Sequence, residues 1–391
     1  MVFLKKKKFK TFFFIFLFLV FNNLPYKVFC QNLYFAGFSF LGNANQDFRY
    51  PVAAKLFDEN PTIFKDPLDT ALLNLKRKDL NLIKDLGTIE SGEAVTIAFA
   101  LTDESIERFS TIDGVTNAYK IYAQILVFDF NEKKVITNYP VLVQKETLTN
   151  GVPSAIEDFN ILKSMYIDTS SKSSIFKFWT EKLETVKLLN AGSIHLQIRD
   201  VKLDNAVTNQ IPEKLSKNDL LKVRSAQKLE YHISSKQNVP ILPYTLGQIG
   251  NFKKGLIARF SDSLEYDLTL PEADFVMDLL IREFKNVTVD RGKFEVKIYA
   301  AFITLNVLEP LTNTSYVNSK FDYKNELVFP KSENMQILNE WDVYQRTQDA
   351  LFSNLARQIS KRDDAVLPSI TGTANIKSQL AKFEGIINKC K

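Results

Sequence analysis

Two stretches, YKIYAQILVFDF at Tyr119–Phe130 and VKIYAAFITLNV at Val296–Val307, constrain the fold more than anything else in the chain. Runs of β-branched and aromatic residues bounded by polar turns are the signature of strands with at least one buried face. The first run pairs with KVITNYPVLV across Asn131, Glu132, Lys133 and Lys134, which predicts a hairpin. The second follows DFVMDLLIREFKNVTV, a long strand of the same kind, and LVF downstream offers a third. Sheets of this composition need a covering layer, and amphipathic helices supply it. SSIFKFWTEKLETVKLL has Ser173 or Ser174 as its cap, Ile175, Phe178, Trp179, Leu183, Val186 and Leu189 on one face, and Gly192 as its stop. NEWDVYQRTQDALFSNLARQIS carries Tyr344, Leu351, Leu355 and Ile359 in helical register, and Ile376, Leu380, Phe383 and Ile387 form a seam short enough to dock on its own domain. The expected class is α+β: two modules, each a mainly antiparallel sheet with amphipathic helices packed on one face.

The rest of the chain fits around those elements. QNLYFAGFSFLGN predicts an early strand ending near Gly42, EAVTIAFALT a strand before the first hairpin, and IHLQIRDVKL another after the Trp179 helix. A helix is expected from Asp66, as N-cap with Pro67 behind it, through Leu68, Leu72, Leu75, Leu82 and Leu86 to Gly87. From about residue 205 to 265 the character changes: Ser216 and Asp219 suggest a capping box, and VPILPYTLGQIGNFKKG reads as loop. The domain division is therefore 1–30, a signal peptide; 31–204, an N-terminal α+β domain; 205–265, a connecting segment with a helix and a loop; and 266–391, a C-terminal α+β domain ending in an amphipathic helix.

The opening strings also raise a duplication. IERF before the first and IREF before the second lead in the same order to KIYA, and a hairpin partner and a helix follow in both places. Two unrelated sheets that favour the same residue types are the competing explanation.

The N-terminus sets location. MVFLKKKKFK is cationic, and FFFIFLFLVF (Phe12–Phe21) is an apolar run too short to span a bilayer, which needs about 20 apolar residues. Val28 and Cys30 fit the small-residue rule for cleavage, placing the mature start at Gln31. Lipidation of Cys30 would want Leu and a small residue where Lys27 and Phe29 stand. Of 50 basic residues, six lie in this segment, so the mature chain carries 44 against 45 acidic. A near-neutral chain without a basic stripe argues against nucleic-acid binding. With only Cys390 left there is no disulfide framework and no zinc quartet, so apolar cores must hold the fold.

Catalytic constellations are missing from the pattern. His195 lies within a predicted strand and His232 has no nucleophile motif around it, so both read as structural. Gly247, Gly250 and Gly255 match neither nucleotide fingerprint. Asp103 with Glu104, Glu157 with Asp158, and Asp363 with Asp364 are adjacent pairs, and neighbours on a strand point to opposite faces. Accordingly no catalytic, cofactor-binding or metal residue is assigned, and the only site residues named are Cys30 and Gln31, at the expected cleavage point.

The run from FVMDLLIREFKNVTV through KIYAAFITLNV to YQRTQDALFSNLARQI is similar to the small α+β modules of bacterial envelope proteins: auxiliary components of ABC-type transport systems, the TolB N-terminal domain and curli-secretion proteins. AYKIYAQILVFDFNEKKVI is a fainter second match. The resemblance implies non-catalytic modules that present sheets and grooves to partners, and it transfers no site residue. The expectation is an exported accessory or scaffold protein, periplasmic or secreted and in reach of the outer membrane, that binds an envelope protein partner or an apolar ligand, with no cofactor. Membrane contact would come only through an uncleaved signal peptide. Two alternatives are a carboxylate-dependent hydrolase and a soluble carrier of a hydrophobic ligand.

Overall fold

The computed structural model describes residues 31–391 except 43, 90–93, 112, 189–192, 247–254, 261–263 and 332–338. Residues 1–30, read from the sequence as a signal peptide and including Cys30, and Gly192, Gly247 and Gly250 lie outside the described residues. Gln31 opens the first strand. The fold is α+β with two sheets.

The first sheet starts with β1 (Gln31–Leu41), to which the short β2 (Leu80–Ile83) adds in parallel at one edge. On its other edge β1 runs parallel to β3 (Val95–Thr111), and β3, β4 (Gly114–Asp129) and β5 (Lys134–Thr149) form an antiparallel meander. The alternation in β1 breaks once, at a bulge between Phe35 and Phe38 where Gly37 takes φ +82°. Because the side-chain period is two, the bulge lets Leu33 and Phe35 before it and Phe38 and Phe40 after it all enter one core. That face is covered by α1 (Pro51–Glu59), α2 (Lys65–Leu72), α3 (Ala155–Ile167) and α4 (Ile175–Leu183). Phe38 stacks on Phe64 at 4.3 Å between ring centroids and on Phe99 at 5.2 Å, and Phe176 meets Phe99 edge-on at 4.8 Å. Contacts of this kind add about 0.5–1.5 kcal/mol each beyond area burial, which is why an aromatic-rich start makes a stable centre.

The second sheet comprises β6 (Leu196–Leu203) and, after α5 (Leu220–Gln237) and the hairpin β7 (Gly255–Phe260) and β8 (Glu265–Thr269), the meander β9 (Phe275–Arg291), β10 (Phe294–Glu309) and β11 (Thr314–Pro330). β6 runs parallel to β9 at the sheet's edge. Helices α5, α6 (Glu340–Lys361) and α7 (Ile376–Lys389) share one apolar core with the inner face of this sheet. As the seam predicted, α7 docks on its own module: Ile376, Leu380, Phe383 and Ile387 are all buried there.

Strands cross the sequence division in both directions. β6, from the 31–204 stretch, belongs to the second sheet, while β7 and β8 return to the first, where β8 meets β5 and β7 pairs with β1. The pairing closes a ring over a small third core of Ala98, Ala100, Leu126, Phe128, Ala258 and Phe260 with their neighbours. The stretch read as loop thus ends in a strand, beginning at Gly255.

Three local expectations change. The Trp179 helix ends at Leu183 instead of running to Gly192; it buries Phe176 and leaves Phe178 38 % exposed, and Leu189 lies outside the described residues. The helix drawn from Asp66 to Gly87 ends at Leu72, and its last third is β2. Arg77 pulls the chain aside by donating to the carbonyls of Leu183 (3.1 Å) and Val186 (2.7 Å), and β2 then satisfies its backbone on the open edge of β1. Its N-cap is Phe64 rather than Asp66. The Ser216/Asp219 capping box does not form: Asn218 and Asp219 both adopt left-handed backbone (φ 54° and 53°), and no side chain caps the first turn of α5.

The modules share one plan: a parallel strand, a helical crossover, a three-strand meander and a covering helix. The meander strands have 17, 16 and 16 residues in the first module and 17, 16 and 17 in the second. Lys133 and Asn313, each left-handed in the second turn, stand 180 positions apart. So do the bulged residues Thr102 and Arg282, and Ile136 and Tyr316. At this spacing Tyr119 matches Tyr299, and both hydroxyls donate to an acid on the next helix, Asp158 at 2.8 Å and Glu340 at 3.3 Å. The KIYA strings are not counterparts: Lys120 matches Ala300, three residues out of step with Lys297. An odd step puts the two strings on opposite faces, so Tyr122 faces away from its module's helices whereas Tyr299 faces toward them.

Candidate binding site at the module junction

Helices α5 and α6 lie between the two sheets, with their apolar sides in the second module's core and their polar sides against the outer face of the first sheet. The bulge at Thr102 makes this possible. Before it Ile97, Phe99 and Leu101 face α1–α4; after it Asp103, Glu107 and Phe109 turn outward and Glu104 turns inward. Outward, Asp103 accepts from Arg224 at 2.8 Å, and Glu107 bridges Lys120 (2.7 Å) and Lys228 (3.0 Å). Asp349 on α6 pairs with Lys120 at 3.3 Å and with His232 Nε2 at 2.8 Å. Arg346 lies 3.9 Å over the ring of Phe109, and the Arg108 amide donates to Asp342. Burial opposes the charged carboxylates of Glu107 and Asp349, yet the facing lysines hold both below the usual range. Such a network adds little net stability over an apolar replacement, but losing one partner is severe, so it fixes which surfaces meet.

Inward, Glu104 serves the other side. Its carboxylate accepts the amides of Val52 and Ala53, both at 2.9 Å, at the start of α1, and the Tyr166 hydroxyl at 2.7 Å. Burial raises it to about 7 even against these donors.

A cleft opens beside the seam in two neighbouring lobes of about 160 and 280 Å³. One face of α5 runs along it, presenting Leu220, Val223, Gln227 and Glu230 at helical spacing. Arg49 and Gln46 line both lobes, Gln124 and Tyr244 the smaller, and Asn218 and Asp219 the larger. Polar atoms without partners gather here: Gln124 Oε1, Gln227 Oε1, Glu230 Oε2 and Arg49 Nε. Glu230 is 1 % exposed and its other oxygen accepts only the Tyr244 amide, at 2.7 Å. Burial pushes it up to about 8. Burial likewise lowers Arg49, opposed by the charge of Asp103.

The outer face of the second sheet contrasts with the seam. At the positions matching Glu107, Phe109, Ala118, Lys120 and Tyr122 stand Val287, Val289, Ile298, Ala300 and Phe302, and no helix among the described residues covers them. Val287 is 55 % exposed, and Val328 and Phe294 are 45 % exposed at the same end of the sheet.

The adjacent carboxylates singled out in the sequence part company, as strand geometry requires for Asp103 and Glu104. Glu157 closes a capping box with Ser154, Asp158 pairs with Arg108, Asp363 accepts from the Ala365 amide, and Asp364 pairs with Lys377. His195 Nε2 meets the Ile136 carbonyl at 3.0 Å. Sequence reasoning missed the cleft residues Arg49, Gln124, Gln227 and Glu230. The polar residues on α5 were the available signal, but nothing local says that a second sheet covers them.

No protein family and no curated protein matches the chain. Among solved structures it is similar to a minor lipoprotein from Acinetobacter baumannii, with 11 % identity, a TM-score of 0.21, and 42 % of this chain and 94 % of that one covered. It is also similar to a neuraminyllactose-binding hemagglutinin homologue from Helicobacter pylori, with 13 % identity, a TM-score of 0.24, and 45 % and 92 % covered. At these scores neither likeness carries an argument. Among the described residues no helix is long and apolar enough to cross a membrane.

Proposed function

We propose that this is an exported accessory protein of the cell envelope, without catalysis of its own, that docks a helical protein partner on the outer face of its second sheet. The observation that carries the reading is the inequality of two equivalent faces. In the first module that face receives α5 and α6; in the second its counterpart carries an apolar strip, exposed at Val287 and half-buried at Val289, Ile298 and Phe302, flanked by Glu283, Lys285, Lys324 and Glu326 and covered by no helix among the described residues. Apolar patches of this kind mark interaction surfaces. The occupant is a pair of amphipathic helices from an envelope protein, apolar where α5 and α6 are charged, because valine and isoleucine have replaced Glu107 and Ala118. A photoreactive residue at Val287, activated in intact cells, should capture one envelope protein through a helical segment, and Val328→Asp should abolish the capture. Capture through an extended segment, no capture, or capture insensitive to Val328→Asp would overturn the reading.

A further inference from the structure

We infer that the junction cleft is a second binding site, independent of the open sheet face, for a linear zwitterion of about tripeptide length. The ammonium end meets Gln124, Gln227 and Glu230, and the carboxylate end meets Arg49 and the first turn of α5.

The polarity of the cleft sets the orientation. Three oxygens of buried side chains, Gln124 Oε1, Gln227 Oε1 and Glu230 Oε2, lack donors, and these residues are 4 %, 9 % and 1 % exposed. A ligand with several N–H donors on one atom satisfies such a set, and an ammonium does so while adding the charge that favours ionised Glu230. The other lobe carries the Asp219 carboxylate, which pairs with Lys222 at 2.8 Å, beside two sets of donors for an anion. It holds the Arg49 guanidinium, whose Nε is unpartnered and whose Nη1 donates to Gln46 at 3.2 Å, and the start of α5, where no side chain caps the amides. An uncapped helix start beside a guanidinium favours a carboxylate.

The first module shows what the second lacks. There the Glu104 carboxylate takes the amides that open α1; its counterpart 180 positions on is Phe284, which packs against Trp341 and Tyr344. At the start of α5 no side-chain oxygen takes that capping role. Asp219, beside that turn, pairs with Lys222 at 2.8 Å instead.

Length follows from the helix. Leu220 and Glu230 are ten residues apart on α5, about 15 Å at 1.5 Å per residue. An extended tripeptide spans about 10 Å, and hydrogen bonds at each end close the remainder. A free amino acid would reach only one pole.

Calorimetry on the mature chain with trialanine, N-acetyl-trialanine and trialanine amide tests this. Trialanine should bind, and blocking either end should weaken binding at least about tenfold. Glu230→Gln should erase the preference for a free amine and keep that for a free carboxylate; Arg49→Gln should do the reverse. The opposite retained preferences separate loss of a contact from loss of the fold. No heat with trialanine at about 10 mM, a ceiling for specific recognition, or equal binding of all three peptides would overturn the inference. Partner capture at Val287 is unaffected by either result.

Discussion

The same face of two matching sheets has opposite fates in this molecule. On the first sheet it is charged and sealed: Glu107, Lys120 and Asp103 are almost fully buried against α5 and α6. On the second a strip of it is apolar and has no helix over it among the described residues, with Val287, 55 % exposed, in place of Glu107 and the small Ala300 in place of Lys120. This inverts the usual rule that charge faces water, and the inversion is instructive. Buried charge gives the junction one permitted partner, the helices of its own chain, whereas an exposed apolar face accepts a partner by shape. The modules differ in the same way at their crossover helices, where α1 is capped by Glu104 and α5 is left to the cleft.

The largest expected effect tests the second contrast. Glu104 with three donors is raised to about 7, and Glu230 with one is raised to about 8. For an acid raised on folding, the native state holds the proton longer, so the stabilisation is complete below about pH 4.5 and is lost as pH rises through about 8. The shift of Glu230 corresponds to a loss on the order of 5 kcal/mol across that window. Urea denaturation from pH 4.5 to 8.5 should show the decline, and Glu230→Gln should flatten its upper part; an unchanged slope in the variant would assign the decline elsewhere.

Next comes the seam. Glu107→Val, which installs the second module's residue, leaves Lys120 and Lys228 buried without their shared partner and should remove about 3–5 kcal/mol in denaturant unfolding. Adding Lys120→Ala, Lys228→Met and Asp349→Asn, which removes the cations together with the second acid that Lys120 pairs with, should restore most of that loss. A combined variant no better than the single one would mean that packing, not charge, closes the junction. The reciprocal change, Val287→Glu, should alter stability by no more than about 0.5 kcal/mol while abolishing partner capture. A destabilised Val287→Glu would show that the face is already covered. The smallest effect is local: Asn218→Gly should stabilise by about 0.5 kcal/mol, because glycine adopts its φ of 54° without strain. A loss instead would show that the Asn218 side chain supports the start of α5.

Much of the architecture was legible in the chain. The hairpin turns, the meander strands and the faces of α6 and α7 follow from alternation and helical spacing, which are properties of neighbouring residues. The helix expected through Leu82 failed because its end depends on Arg77 reaching α4, about a hundred residues away in sequence. The repeat was visible through strings that the folded chain sets out of step. Identical tetrapeptides record composition, whereas bulges such as Thr102 and Arg282 record geometry and carry no sequence mark of their own. The candidate cleft left no more trace in the sequence than the polar residues on α5, since Arg49, Gln124, Gln227 and Glu230 come from three separate parts of the chain.

What the sequence determined by itself was the meander strands and the helices α6 and α7, and which side of each is apolar, since these are set within a few residues by backbone periodicity. Tertiary structure alone decided which sheet each strand joins, that β6 and the β7–β8 hairpin exchange modules, and that one charged face is buried while its apolar counterpart stays open. The physical reason is that strand pairing and burial of charge are settled by partners distant in the chain, and a partner's position exists only once the fold has formed.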